Sequence, residues 1–147
     1  MGYFGALDIS ASGLTAQRMR MDTISMNIAN VSTTRAENGG PYRRKLTVFE
    51  ERQKPAVFDG YLRAAVRGDN LGNGVRVARV VEDSAPFRTV YEPGHPEANA
   101  DGYVTYPNVD VVTEMINMIS ASRSYEANVT SLNATKALAM KALEIGR

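Results

Sequence analysis

The 147-residue sequence contains no cysteine and no tryptophan, and it has a single histidine. Without cysteine the chain cannot form disulfides, and one histidine leaves no spacing typical of a metal site. A net charge of +1 gives no electrostatic reason to bind nucleic acid or an anionic membrane. No apolar run is long enough to span a bilayer, and residues 1–14 lack the basic region and apolar core of a cleavable signal peptide. These absences argue against a disulfide-stabilised, metal-binding, nucleic-acid-binding or membrane-spanning protein.

Catalytic motifs are also lacking. His95 lies in a Pro-Gly turn, and no carboxylate or hydroxyl motif accompanies it. The neighbouring carboxylates Glu50 and Glu51 would point to opposite faces of a strand. The glycines between positions 68 and 74 match neither a dinucleotide fingerprint nor a P-loop. The sequence therefore predicts no enzyme, no metal site and no cofactor.

What is present is a long helical pattern at the C-terminus. Residues 107–147 are typical of one helix, with Asn108 as the N-cap and Gly146 as the stop. At about 1.5 Å per residue this helix would be about 55 Å long, which exceeds a small domain. Apolar residues form a heptad seam interrupted by Ser122 and Lys136; the seam comprises Val111, Met115, Met118, Tyr125, Val129, Leu132, Ala139 and Leu143.

A second heptad helix is predicted from Ala6 to Val31. Leu7, Leu14, Met21 and Ile28 are seven residues apart, and Ile24 and Val31 follow the last two by three residues. The two terminal helices could therefore pair along their seams.

Both helices also have apolar or small residues away from the seam. On the far side these are Ile9, Met19 and Met26 in the first helix and Ser120, Ala127 and Ala134 in the second; Ile116, Ile119, Leu138 and Met140 also lie off the seam of the second helix. A helix that faces water would carry Glu and Lys at such positions. An ordinary core helix is the alternative, but one chain of this length offers little other helix to cover every side. We therefore expect other subunits to cover these faces.

The middle of the chain is predicted to be rich in β-structure. Strands are expected at 42–50, 75–81, 87–91 and 103–106, with turns at the Asn-Gly and Asp-Gly pairs between them. Residues 68–74 are expected to be flexible, and the basic cluster Arg43-Arg44-Lys45 is expected to be a solvated strand face. No convergent polar cluster is expected there. The predicted fold class is α+β, with one domain formed by residues 1–31 plus 107–147 and a β-rich insertion at 32–106.

Several motifs together carry a resemblance to a known family. Ser25-Met-Asn27-Ile-Ala29-Asn30 resembles the signature that ends the first helix of bacterial flagellar rod, hook and hook-associated proteins. That signature continues as Thr-Pro-Gly-Tyr, whereas this chain has Thr33-Thr34-Arg35-Ala36. The departure is similar to one rod subtype, as are the segments 37–45, 86–88, 91–96 and 106–109 and the motifs at 113–115, 118–123, 125–128 and 141–146. The resemblance is nearly end to end and is thinnest at 52–73.

The resemblance implies a structural subunit of the proximal flagellar rod, which transmits motor torque through the periplasm. It implies a coiled-coil domain of the terminal helices and export without a cleaved signal peptide. The implied partners are further copies of the chain, the rod proteins FlgB, FlgF and FlgG, the base protein FliE and the flagellar export apparatus. The alternative left open is a soluble coiled-coil adaptor or chaperone of the export system.

Fifteen residues on the helix faces are the candidates for packing between subunits. They are Leu7, Leu14, Met21, Ile24, Asn27, Ile28, Asn30, Met115, Met118, Tyr125, Ala127, Val129, Leu132, Ala134 and Leu143.

Overall fold

The computed structural model of the chain describes residues 3–36, 39–52 and 73–145. The described elements are, in chain order, α1 (Tyr3–Ala29), β1 (Lys45–Glu51), β2 (Val75–Glu82), β3 (Arg88–Tyr91), β4 (Tyr103–Tyr106) and α2 (Val111–Ile145). The α+β prediction is confirmed: two long terminal helices flank antiparallel strands. The Asp59-Gly60 turn and the expected flexibility of residues 68–72 lie outside the described residues.

The two helices pack against each other in antiparallel orientation. Asn27 near the end of α1 bonds to Glu114 at the start of α2, and Arg18 lies within 3.4 Å of the Tyr125 hydroxyl. Further along, Gly13 is so close to α2 that a Cβ there would lie 2.9 Å from the Asn128 Nδ2. A glycine at this point therefore permits a close helix–helix approach.

The contact face of α1 differs from the predicted apolar seam. Of that seam only Ile24 is buried, while Leu7, Leu14, Met21, Ile28 and Val31 are half-buried. The other buried residues of α1 are small or polar: Ser10, Ser12, Gly13, Ala16, Thr23 and Asn27. Gly13 and Asn27 contact α2, whereas Ser12 bonds to Val75 of β2, so the buried residues of α1 are divided between the second helix and the β1–β2 sheet.

The start of α2 also differs from the prediction, which placed the N-cap at Asn108. Asp110 is the N-cap, because its Oδ2 accepts hydrogen bonds from the backbone N–H (3.1 Å) and the hydroxyl of Thr113. Asn108 instead bonds outside the helix: its Oδ1 accepts from the Arg44 N–H at 2.8 Å.

Strands β1 and β2 form an antiparallel sheet that packs along α1. One end is held where Asn27 bonds to Lys45, and the other where the Val75 N–H donates to Ser12 Oγ at 3.1 Å. Ser12 and Asn27 are separated by about 22 Å of helix, and six steps of β1 span about 20 Å. These lengths match, so the sheet is fixed to α1 at two points.

Strands β3 and β4 form a separate two-stranded antiparallel sheet, with Arg88 opposite Tyr106 and Tyr91 opposite Tyr103. Within the described residues the backbone of this sheet does not approach those of α1, α2, β1 or β2. The side chain of Val104 on β4 is nevertheless buried, and the connections from β2 and to α2 join the sheet to the rest of the chain.

The apolar core of the described residues is small. The buried apolar residues are Ala16, Ile24, Val104, Val109 and Ala121. No described helix is both long and apolar enough to cross a membrane.

Candidate functional site: a buried polar hub and an exposed apolar helix surface

A cluster of polar side chains lies where the helices meet the β-rich middle. We call Asn27, Arg44, Asp83, Asn108 and Glu114 the polar hub. Glu114 is its centre, because this carboxylate is only 1% exposed. Its Oε1 accepts hydrogen bonds from Arg44 Nη2 at 2.6 Å and Arg44 Nε at 3.0 Å, and its Oε2 accepts one from Asn27 Nδ2 at 2.9 Å.

Asn27 is equally buried and uses its full hydrogen-bonding capacity within the chain. Its Nδ2 donates to the Lys45 carbonyl at 2.8 Å as well as to Glu114. Its Oδ1 accepts from the Lys45 N–H and from the Tyr42 hydroxyl, both at 2.9 Å. Asn30 caps the end of α1, since its Nδ2 donates to the Met26 carbonyl and its Oδ1 accepts from Thr33.

Arg44 extends the hub to the segment after β2. Its Nη1 lies 3.2 Å from Asp83 Oδ2, and its guanidinium is therefore shared between two carboxylates. Burial by itself would lower the pKa of Arg44, but the hydrogen bonds and charges of Glu114 and Asp83 raise it. The solvated strand face predicted for residues 43–45 is wrong at Arg44, because this side chain is held by a carboxylate that is itself buried.

The pKa of Asp83 is lowered, chiefly by the hydrogen bond from the backbone N–H of Ala85. Desolvation by burial opposes this shift, and the hydrogen bond and charge of Arg44 add to it. The pKa of Tyr42 is raised, first by burial and then by the nearby Glu114 carboxylate. The hub thus places the carboxylates of Glu114 and Asp83 around one guanidinium, and it is the convergent polar cluster that the sequence did not reveal.

Sequence reasoning missed Arg44, Asp83, Asn108 and Glu114 as members of one cluster. A usable signal was present, because Glu114 is the only carboxylate from Val111 to Arg123. A lone acid in such an apolar turn needs a cation, and Arg44 lies in a motif that carried the family resemblance.

The second feature is an apolar surface on α2. Nine large apolar side chains of this helix are exposed; we call them the α2 apolar surface: Val111, Val112, Met115, Ile116, Ile119, Leu138, Met140, Leu143 and Ile145. On α1 the exposed large apolar residues with described side chains are Met19 and Met26. The difference arises because α1 is covered by α2 on one side and by the β1–β2 sheet on another.

The candidate packing residues of α2 divide into two groups. Met118, Tyr125, Val129 and Leu132 are half-buried. Met115, Ala127, Ala134 and Leu143 are exposed, with Leu143 at 75%. Their role between subunits stays a prediction, as it does for the candidates on α1.

Comparison with known proteins defines the class first. Residues 7–36 match the family model described as flagella basal body rod protein, and residues 100–145 match that of the flagellar basal body rod FlgEFG protein C-terminal region. Both terminal helices thus carry the features of flagellar rod proteins.

Curated relatives define the family more closely, and each bears the name flagellar basal-body rod protein FlgC. The relative from Bacillus subtilis (strain 168) is 51% identical, with 100% of both chains covered. The relative from Borreliella burgdorferi is 45% identical over 99% of this chain and 98% of its own, and that from Salmonella typhimurium (strain LT2) is 42% identical over 100% of both. This chain belongs to the FlgC family of flagellar basal-body rod proteins.

The chain is accordingly a structural subunit of the flagellar basal-body rod that assembles with other rod components. The resemblance drawn from the sequence motifs is confirmed, and the adaptor alternative is not favoured. The position in the cell is the flagellar basal body.

Proposed function

We propose that this chain polymerises into the proximal part of the rod, where it helps to transmit motor torque across the periplasm. The helix pair of residues 1–31 and 107–147 acts as the assembly domain, and the β-rich insertion of residues 32–106 acts as a spacer and lateral contact. FlgB, FlgF, FlgG and FliE are the proposed neighbours.

The observation that carries this proposal is the α2 apolar surface. Helix α2 has 35 residues and thus a length of about 52 Å, and large apolar side chains are exposed near both of its ends. These side chains form two groups, at 111–119 and 138–145. Clustered exposed apolar side chains mark protein–protein contacts in soluble chains, and contacts near both ends of one long helix suit side-by-side packing of subunits in a tube.

Two further parts of the proposal rest on family membership. The chain is delivered by the flagellar export apparatus without cleavage of a signal peptide, and it has no catalytic activity. The relatives named as rod proteins support the absence of catalytic activity, and the resemblance of the sequence motifs supports the export route.

Co-assembly of purified proteins tests the proposal. The chain is mixed with FlgB, FlgF, FlgG and FliE from one organism, and assembly is followed by sedimentation and electron microscopy. We expect tubes that contain the chain. A stable soluble complex with one partner and no tubes would contradict the proposal.

A matched pair of variants connects the test to the α2 apolar surface. Ile116→Ser with Ile119→Ser should greatly reduce the pelleted fraction, because two apolar contacts per subunit are lost. Ser131→Ala with Asn133→Ala changes two exposed polar residues of the same helix and serves as the control. Equal pelleting of both double variants would show that this surface does not drive assembly.

A further inference from the structure

Three connections of the chain meet at the polar hub, and two of them link the helices to the β-rich middle. Arg44 belongs to the connection from α1 to β1, Asp83 to the connection from β2 to β3, and Asn108 to the connection from β4 to α2. Glu114 reaches this point from the first turn of α2, and Asn27 from the last turns of α1. Every covalent path between the helices and the strands, among the described residues, therefore passes this cluster.

Hydrogen bonds join the three connections directly. Asn108 Oδ1 accepts from the Arg44 N–H at 2.8 Å, while its Nδ2 donates to the carbonyls of Asp83 (3.2 Å) and Ala85 (3.1 Å). Arg43 adds a bond from Nη1 to the Asp83 carbonyl at 2.9 Å, and its guanidinium lies 4.3 Å from the centre of the Phe87 ring. Asn108 thus holds the entry to the β3–β4 sheet against the segment that leads into β1.

The backbone of the β3–β4 sheet lies apart from the other elements. Among the described residues its strands do not approach the backbones of α1, α2, β1 or β2, and hydrogen bonds of Asn108 tie the connections on either side of the sheet to the segment before β1. The β1–β2 sheet differs, because it is fixed to α1 at Ser12 as well as at Asn27. The β1–β2 sheet therefore has an attachment to α1 that is independent of the hub.

We infer that Glu114 and Asn108 are positioning residues that set the orientation of the β3–β4 sheet relative to the helix pair. Glu114 acts through Arg44, whose guanidinium it orients toward Asp83. Asn108 acts by joining the connections that lead into and out of the sheet. The inference concerns the geometry of a single chain, so it does not rest on how the chain assembles.

A distance measurement between two spin labels tests this inference. The chain has no native cysteine, so Ser120→Cys on α2 and Thr89→Cys on β3 place labels at two exposed sites without other changes. Pulsed electron spin resonance then gives the distribution of label-to-label distances in the purified full chain. We expect one narrow distance in the otherwise unaltered protein.

Three variants of the labelled chain separate the possible outcomes. Glu114→Gln keeps an acceptor for Asn27 but removes the charge that holds Arg44, and Asn108→Ala removes three hydrogen bonds outside both helices. Each should broaden the distribution or add a second distance, with helix content by circular dichroism unchanged. Glu126→Gln is the control, because the Glu126 side chain bonds to Ser122 on its own helix and should keep the narrow distance.

If Glu114→Gln loses helix content, Asn108→Ala decides the matter, because Asn108 lies outside the helices. A narrow, unshifted distance in either variant that keeps its helix content would overturn the inference. Loss of helix content in both variants would overturn it as well, since the hub would then determine folding and not orientation.

Discussion

Asn27 lies where three parts of the chain meet, and no other residue type matches its contacts. An asparagine amide offers two donors and two acceptor positions, and here each has a partner on β1, on α2 or in the segment before β1. Aspartate would lose both donors and place a second negative charge beside Glu114. Leucine would remove the partner of four polar groups, among them the buried Glu114 carboxylate.

Replacement of Asn27 by alanine should lower the free energy of unfolding by about 2–4 kcal/mol, because each buried group left unpaired costs about 1–3 kcal/mol and some will be reached by water. Urea unfolding of the purified chain measures this. Asn133→Ala, at an exposed position of α2, is the matched control and should change stability by less than about 0.5 kcal/mol. Similar losses in the free energy of unfolding for both variants would show that the bonds of Asn27 stabilise the chain no more than an exposed asparagine does.

The Asp83 carboxyl should make stability depend on pH in the acid range. Its pKa lies below the ordinary value of 3.8 in the folded chain, so its stabilising contribution is complete above that value and is lost as pH falls through the lowered pKa. Asp83→Asn should therefore melt at a lower temperature than the parent at pH 6, and the difference should shrink below pH of about 4.

Asp101→Asn removes the same charge from an exposed turn and controls for net charge. A melting difference between Asp83→Asn and its parent that is the same at pH 6 and at pH of about 3 would contradict the assignment.

Some individual residues were not predictable from the sequence. Arg44 lies in a run of basic residues and Glu114 begins a helix, and each reads locally as a solvated charge. Their pairing joins positions 70 residues apart, and no periodicity within one element reports such a distance. Asn27 was identified because it belongs to a motif, but its intrachain role required the fold.

At the scale of elements, Gly13 sets how closely α1 and α2 approach. Its replacement by alanine would place a Cβ 2.9 Å from Asn128 Nδ2 and 3.0 Å from Asn128 Cγ. The overlap should cost about 1–3 kcal/mol, which exceeds the gain of up to about 1 kcal/mol in helix propensity. Thermal melts should show a net loss of stability.

Two variants make this measurement specific. Gly5→Ala on the same helix meets nothing within 4 Å and should be neutral or stabilising. Asn128→Ala combined with Gly13→Ala should recover most of the loss, because the side chain that clashes is gone. If Gly13→Ala were as stable as Gly5→Ala, the added methyl group would be accommodated without loss of stability, and Gly13 would not limit the distance between the helices.

The sequence predicted which helices and strands form. It did not predict which side of α1 is buried or which residue caps α2. Periodicity located both helices, and β-propensity with turn pairs located all four described strands, with the bounds of β4 matching those expected. The apolar seam was misplaced on α1 because a heptad count follows large side chains, whereas a close approach selects small ones. The cap at Asp110 was missed since Asn108 is equally suitable by residue type.

At the scale of the whole molecule, Ala127 and Ala134 test whether the outer side of α2 is covered in the rod. Both are exposed in the single chain, so Ala→Glu at both positions should cost the isolated chain only a few tenths of a kcal/mol each from helix propensity. Between packed subunits each glutamate would cost about 1–3 kcal/mol by overpacking, and an unpaired buried charge adds several more.

We therefore expect the double variant to be made and to melt like the parent, yet to build no rod, so that cells lose motility. Ala→Ser at both positions is the matched control and should keep motility, because serine fits nearly the same space. Motile cells with normal basal bodies in the glutamate variant would show that this side of α2 faces water.

The assembly class could be read from the sequence because it depends on composition. Apolar residues on several sides of both terminal helices indicate that other subunits cover these helices. This pattern can be recognised in the sequence without knowledge of tertiary contacts. The family came from motifs, and the structure added how the helices pair and how the strands are attached to them.

The antiparallel pairing of the first and last elements has a consequence for folding speed. The bonds from Arg18 to Tyr125 and from Asn27 to Glu114 close loops of 107 and 87 residues, so the helix pair has a high contact order. Loop-closure entropy must be overcome before these contacts stabilise anything, which slows folding. Helix α1 thus stays without its partner until the chain that forms α2 is present.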